Sequence, residues 1–333
     1  MAVAVLDRKP PVPHCSAACW LAPRKACSMP TYDAEVDSSA DTSHALMLRL
    51  VGPDRRVLDV GCATGYLGEA LMARGCRVSG VELDPEAALR AKEVLDEVLV
   101  ADLETANLVD HFGAGSFDVV VFGDVLEHVR DPERLLRSAV GLLAEKGSIV
   151  ISIPNVAHAA LRLALLQGQW VYSDRGLLDR THVQFFTRAT LLDLVRNAGL
   201  VAVDVRSTTA GTFATEIAID ATNLPDGVVE WVEDQPDAAV YQFVLRAIKN
   251  DADGAVEVLR LRYDTAEETL RKTTKELAAR RAEVEALSAT VARLGSRVSV
   301  AEDDFHTLAG TRSFRALRAP RRVYGWVRGL RQQ

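Results

Sequence analysis

The chain has 333 residues, 48% of them hydrophobic, and a formal net charge of −7. Such a length holds one domain of about 200–250 residues with something appended. No run of about 18 uninterrupted apolar residues exists, which excludes a membrane-spanning helix, and the charge and prolines of MAVAVLDRKPPVPH replace the apolar core that a signal peptide needs.

Residues 1–28 carry His14, Cys15, Cys19 and Cys27, but their spacing matches no common zinc pattern and no metal site is read there. This segment is expected to be disordered, or to precede a true start at Met29. Without a signal peptide or spanning helix the protein is expected to be cytoplasmic, and its five cysteines, with Cys62 and Cys76 inside the predicted core motifs, fit a reducing compartment.

An apolar strand (Val57, Leu58, Val60) then runs into a glycine turn with Gly61 and Gly65, and a helical pattern follows from Tyr66 to Arg74. Glycine lets a backbone approach a ligand closely, and the helix start turns its free N–H groups the same way. The next strand, Arg77 to Val81, ends in Glu82, 21 residues after Gly61 (82 − 61), where a carboxylate can accept ribose hydroxyls. A third strand, Glu97 to Ala101, ends in Asp102-Leu103, and strand-like cores recur at 117–122 and 148–153. Alternating strands and helices argue for an α/β fold with a parallel sheet. A helix over Ala157–Gln167, an irregular aromatic stretch over Gln169–Phe186, a Thr187-capped helix to Ala198, and strands over Val201–Ser207 and Val240–Ile248 complete the reading.

VLDVGCATG, VSGVELD, VLVADLE, FDVVVFGDVLEHVRDP and LLAEKGSIVISIPN, in that order, resemble the motifs of class I S-adenosylmethionine (AdoMet) methyltransferases over roughly residues 31–248. A nicotinamide-dependent dehydrogenase would more usually show GxGxxG with its third glycine inside the helix. The usual GxGxG has Ala63 as its middle residue here. The resemblance implies a Rossmann-like, seven-stranded, mostly parallel sheet over residues 29–249, with the last strand antiparallel. It places Asp59, Gly61, Cys62, Ala63 and Gly65 around the methionine end of AdoMet and Glu82, beside Leu83, on the ribose. Asp102 and Leu103 frame the adenine, and Gly123 and Asp124 close the site.

Attack by a hydroxyl needs a base. His128, after Glu127, and His182, in GLLDRTH (176–182), are the candidates, each with a structural role as its alternative. Asp179 and Arg180 bind the acceptor or pair with each other. SIPNVAH (152–158), QGQWVYSDRGLLDRTHVQFFT (167–187) and NAGL (197–200) resemble a subgroup from bacterial polysaccharide gene clusters, whose members sit beside glycosyltransferases and whose acceptors are sugar hydroxyls.

From Val256 every seventh residue is apolar through Phe305, and three further on stand Leu259, Ala266, Thr273, Arg280, Leu287, Leu294, Ala301 and Leu308, so that the Leu/Val-rich part of the seam is 284–298. Eight heptads predict a coiled coil over 254–308 that makes a homo-oligomer; a long helix folded back on its own domain is the alternative. Residues 311–333 hold seven arginines and no acid, so the rest of the chain sums to −14 (−7 − 7). This basic amphipathic tail suits the anionic inner face of the cell membrane, or else an acidic partner, with nucleic acid third.

The favoured expectation is an AdoMet-dependent O-methyltransferase acting on a saccharide, of a glycan or lipid-linked, held near the membrane by its tail. The alternatives are an O-methyltransferase for a small phenolic or quinone-like acceptor, and a non-catalytic AdoMet-binding scaffold whose output is the coiled coil.

Overall fold

The strands form where β-branched residues cluster, and their order sets the site. The computed structural model describes residues 41–310; the expectations for residues 1–28, for a start at Met29 and for the tail 311–333 lie outside the described residues. The chain divides into two units, the first ending at Val256 and the second beginning at Glu257.

In the first unit, α1 (Ser43–Val51), β1 (Arg56–Val60), α2 (Tyr66–Met72), β2 (Arg77–Glu82), α3 (Pro85–Ala91), β3 (Glu97–Val100), α4 (Leu108–Phe112) and β4 (Phe117–Gly123) follow in turn. After a 3₁₀ turn (Leu126–His128) come α5 (Pro132–Leu142), β5 (Leu143–Pro154), α6 (Ala159–Leu166), α7 (Arg188–Asn197), β6 (Leu200–Thr209), α8 (Val228–Glu233) and β7 (Val240–Lys249). The helix starts are written locally: Thr42 caps α1 through the Ala45 N–H, Asp84 caps α3 ahead of Pro85, and Thr187 caps α7.

The strands join in the order β3-β2-β1-β4-β5-β7-β6. All neighbours are parallel except that β7 runs antiparallel to both β5 and β6. The direction of strand order reverses between β1 and β4, and crevices at such switch points, beyond the strands' carboxyl ends, take ligands.

Side chains alternate between the two faces of a sheet. Leu58, Val60, Val120, Phe122, Ile149, Ile151 and Phe243 pack on one face with residues of α5 and α7. Val57, Val78, Val119, Val121, Val150 and Val244 pack on the other with α1 and α2. Asp59 shares the parity of Val57, so a carboxyl lies on that second, apolar face at the ligand end of β1.

The described residues of the second unit are helical. One helix, α9 (Ala252–Gly310), spans the whole predicted heptad region, and seam residues such as Val284, Leu287, Val291, Leu294 and Val298 are exposed along it. Among the described residues, no helix is long and apolar enough to cross a membrane.

Candidate active site

The cofactor half is built from the loop after β1. Gly61 and Cys62 donate their N–H groups to the Val81 carbonyl at 2.8 and 3.0 Å, which hangs the loop on β2. Gly61 (φ +76°) and Gly65 (φ +88°) lie in the left-handed region. A Cβ at Gly61 would come within 2.6 Å of the Val125 side chain, and one at Gly65 within 2.9 Å of Val94 and 3.2 Å of the Ala91 backbone. Both glycines are therefore demanded by packing as well as by their left-handed backbone. Ala63 takes the middle-glycine position and adopts φ +49° itself.

The Ala63 N–H donates to one Glu82 carboxylate oxygen at 2.8 Å, and the Leu83 and Asp84 N–H groups donate to the other at 2.8 and 2.9 Å. Three backbone donors thus fix this carboxylate before any ligand arrives. A carboxylate has about four acceptor sites, so capacity remains for a hydroxyl. Asp102 accepts from the Glu104 N–H, and Arg134 donates to the carbonyls of Leu103 and Glu104, which ties the expected adenine loop to α5.

Asp59 is 2% exposed and its Oδ2 has no hydrogen-bond partner. Burial, then the neighbouring Glu82 charge, pushes its carboxyl up to about 7. Asp124 (φ +56°) accepts from the Ser152 hydroxyl at 2.7 Å and from the Gln242 amide at 3.0 Å, so β5 and β7 both hold it. His44, at the start of α1, lies 3.0 Å from the Tyr66 hydroxyl; burial lowers its pKa, and the Asp124 charge partly opposes this.

The acceptor half centres on the 3₁₀ turn. The Glu127 carbonyl accepts the N–H groups of Val183 and Gln184 at 2.8 and 3.0 Å, which stitches the 176–186 loop onto the turn. Its carboxyl is 1% exposed, with neither oxygen partnered, and burial followed by the Asp124 charge raises its pKa well above the carboxylate range. His128 and His182 lie edge to face, 4.8 Å between ring centres. His128 Nδ1 is 3.2 Å from the Thr181 carbonyl and 3.1 Å from its hydroxyl, which in turn donates to Asp179 at 2.6 Å. A ring nitrogen facing a carbonyl carries the proton, so a neutral His128 presents a bare Nε2. The Nδ1 of His182 has no partner, and burial, then His128, lowers its pKa.

From this pair a run of rings leads outward: His182 to Phe185 (6.2 Å), Phe185 to Trp170 (5.3 Å) and Trp170 to Tyr172 (6.4 Å), all edge to face. Glu216 holds the loop from behind, accepting from the Leu177 N–H and the Tyr241 hydroxyl.

The fold thus brings Asp59, Gly61, Ala63, Gly65 and Glu82 to one loop system, and His128 and His182 to one cluster. Two expectations change. Cys62 turns its thiol into the core, where Sγ would lie 2.5 Å from a Cβ on Gly80, so only its backbone faces the loop. Asp179 and Arg180 do not pair with each other: Asp179 takes the Thr181 hydroxyl and N–H, while Arg180 pairs with Asp174 at 2.8 Å. Gly123 is fixed by packing, a Cβ there meeting the Met47 methyl at 3.3 Å. In SIPNVAH, Asn155 and His158 are structural. Asn155 donates to the carbonyls of Asp237 and Val240, and His158 bridges the Ala160 N–H and the Ala210 carbonyl.

Sequence reading passed over Glu127, His44, Gln242 and Thr181 as site residues. Glu127 stands next to His128 between the apolar Leu126 and Val129, which is a local sign that its side chain turns inward. The other three reach the site only through tertiary contacts.

The pinned Glu82 carboxylate, the left-handed turn and the buried Asp59 fit AdoMet: a hydroxyl-bearing ribose for the first and a cationic methionine end for the last. Curated relatives include the ubiquinone biosynthesis O-methyltransferase of Xanthomonas axonopodis pv. citri, 35% identical over 162 residues, 47% of this chain and 67% of the relative. The protein of the same name from Psychrobacter arcticus is 33% identical over 174 residues, 50% of this chain and 66% of its own. The chain thus spans about two thirds of the length of these relatives. A solved structure of an AdoMet-dependent methyltransferase from Archaeoglobus fulgidus is similar at 17% identity and a TM-score of 0.45, over 62% of this chain and 94% of that one. Residues 32–205 match the family described as "Methyltransferase domain"; the chain belongs to that family and is an S-adenosylmethionine-dependent methyltransferase.

Proposed function

We propose that the enzyme methylates a hydroxyl of a small aromatic acceptor of the phenol or catechol class, not the sugar hydroxyl that the polysaccharide-cluster resemblance implied. The observation that carries this is the run of rings from Tyr172 and Trp170 through Phe185 to His182 and His128. It offers edges and faces to a flat substrate and ends on the acid–base cluster. The name borne by the curated relatives, O-methyltransferases of ubiquinone biosynthesis, supports the same class.

AdoMet supplies an electrophilic methyl group on a sulfonium. Glu82 orients the ribose, and the loop at 61–65 fixes the donor's position, so positioning is the chain's main contribution to rate. At the acceptor end, Glu127, His128 and His182 receive the hydroxyl and ease loss of its proton. The His128–Thr181–Asp179 hydrogen-bond chain holds the imidazole in one tautomer. The heptad seam of α9 would join copies of the chain, and residues 311–333 would meet an anionic surface.

The test is turnover, followed as S-adenosylhomocysteine release, on matched catechols, phenols and sugar nucleotides, with AdoMet calorimetry on wild type and Glu82→Ala. Methylation of catechols with little on sugars is expected, and Glu82→Ala should weaken AdoMet tenfold or more. Methylation of sugars alone would restore the saccharide reading. Calorimetric silence from folded protein would favour the scaffold.

A further inference from the structure

We propose that α9 pairs with α9 of a second copy of this chain as a parallel, two-stranded coiled coil, with the same residues side by side. The inference rests on the reading above that the heptad seam joins copies. It adds what that reading left open: the number of strands, their direction and their register.

The unpartnered face comes first. Val284, Leu287, Val291, Leu294 and Val298 are between 51% and 68% exposed, and they share one stripe of a helix 59 residues long. A contiguous apolar stripe standing in water marks an interaction surface. In heptad letters, Val256 and every seventh residue after it stand at a, and Leu259 and its successors at d. The block 284–298 therefore has valine at a and leucine at d. β-Branched residues at a with leucine at d favour two strands.

Direction follows from what that block would face. An antiparallel pair with its ends aligned sets Val256 against Leu308, and so the block 284–298 against 266–280, where the seam holds Ala266, Thr273 and Arg280. In a parallel pair the block packs against itself.

Charge selects the same arrangement. In a parallel pair each g residue reaches the e residue five positions further along in the other helix. Glu276 thus meets Arg281 of the second copy, and Arg297 meets Glu302, each pairing made twice by symmetry. None of these four residues forms an ion pair with another described residue of its own chain. From Thr269 to Gly310 no like charges meet at the e and g positions. A slip of one heptad keeps a single opposite pair over this span, Glu283 with Arg281, and sets Asp304 against Glu302. The antiparallel pair turns about residue 282, which brings Arg281 to Arg281 and Glu283 to Glu283 near its middle. The weakest layer of the parallel pair is Arg280 at d. Each Arg280 keeps its own Glu283 at 2.9 Å, which offsets the approach of two guanidinium groups. A charged layer lowers stability but specifies register.

Both chains would enter the rod together at Ala252 and leave it together at Gly310. Whatever the sequence beyond Gly310 meets is then met twice at one place, which strengthens a weak contact.

The experiment uses the full chain with Cys15, Cys19 and Cys27 replaced by serine; Cys62 and Cys76 are buried. Leu294→Cys in that background is oxidised, and so is an equal mixture of Leu270→Cys and Leu294→Cys chains left to exchange subunits while reduced. Light scattering should give two chains per particle, and Leu294→Cys should cross-link nearly completely to itself. The mixture should give no 270–294 product, which an antiparallel pair would form. Glu276→Lys should weaken the dimer about tenfold in sedimentation, and adding Arg281→Glu should restore it. Helical content and AdoMet calorimetry check that each variant is folded. A 270–294 product, three chains per particle, or no rescue by Arg281→Glu would overturn the proposal while leaving assembly through the seam intact. A monomeric full chain would sink both. Neither result bears on hydroxyl methylation, which is followed separately as S-adenosylhomocysteine release.

Discussion

Asp59→Asn should reverse the usual result of mutating a core residue by making the protein more stable above neutral pH. Asp59 carries its carboxyl on an apolar face of the sheet, and the fold raises its pKa from the ordinary 3.8 to about 7. A raised acid favours the folded state only while protonated. Relative to the unfolded chain, stability therefore falls as pH rises from about 4 to about 7, then levels off. At about 1.4 kcal/mol per pH unit, a gap of some three units costs the native protein roughly 4 kcal/mol at pH 8. Asparagine has no such charge, so the variant should gain a few kcal/mol over wild type at pH 8 and almost nothing at pH 4. Denaturant unfolding of both proteins from pH 4 to 9 reads this directly. The difference between the two curves also removes the opposite slope of His44, His158 and His182, whose lowered pKa values cost stability as pH falls. A difference curve that is flat across pH 4–7 would refute the argument. AdoMet, with its cationic methionine end, should bind wild type more tightly at pH 8 than at pH 6, and this dependence should vanish in the variant.

Gly61→Ala forces a left-handed alanine against Val125 and should cost about 1–3 kcal/mol in thermal or denaturant unfolding, together with tenfold or more in AdoMet affinity by calorimetry. His182→Ala should lower turnover on the acceptor by about 10² or more with AdoMet affinity unchanged; near-normal turnover would remove His182 from the acceptor site. Truncation after Lys249 keeps every strand and should leave an AdoMet-binding monomer by light scattering, against an oligomeric full chain. A truncated form that remains oligomeric would show that the α9 seam does not drive assembly.

The cofactor half was legible because it is local. Strand, turn, helix and the acid at the next strand end all fall between Val57 and Glu82, and hydrophobic periodicity fixes each in turn. Element ends moved by a residue or two, as with α6, expected over 157–167 and found over 159–166. The acceptor half was legible only as types of residue. That His128 and His182 would meet, 54 positions apart (182 − 128), depends on two backbone bonds from the 183–184 N–H groups to Glu127. Periodicity does not encode such a contact. The same holds for Gln242, which reaches Asp124 from the last strand. Nor does the proximity of Cys62 to the glycines in sequence set which way its side chain turns.

The place of β7 in the sheet has a consequence for biogenesis. The last strand to leave the ribosome is inserted between two that are already made, β5 and β6. Until residues 240–249 emerge, a five-strand sheet ending at β5 can form, but β6 has no neighbour to join. Both strands then show bare edges, the condition that recruits other chains. That strand also delivers Gln242 to Asp124, Tyr241 to Glu216 and the Val240 carbonyl to Asn155. A nascent chain thus carries Glu127, His128 and His182 before the strand that braces Asp124, Asn155 and Glu216 around them exists. A chain ending before residue 240 is therefore expected to aggregate instead of retaining part of the activity.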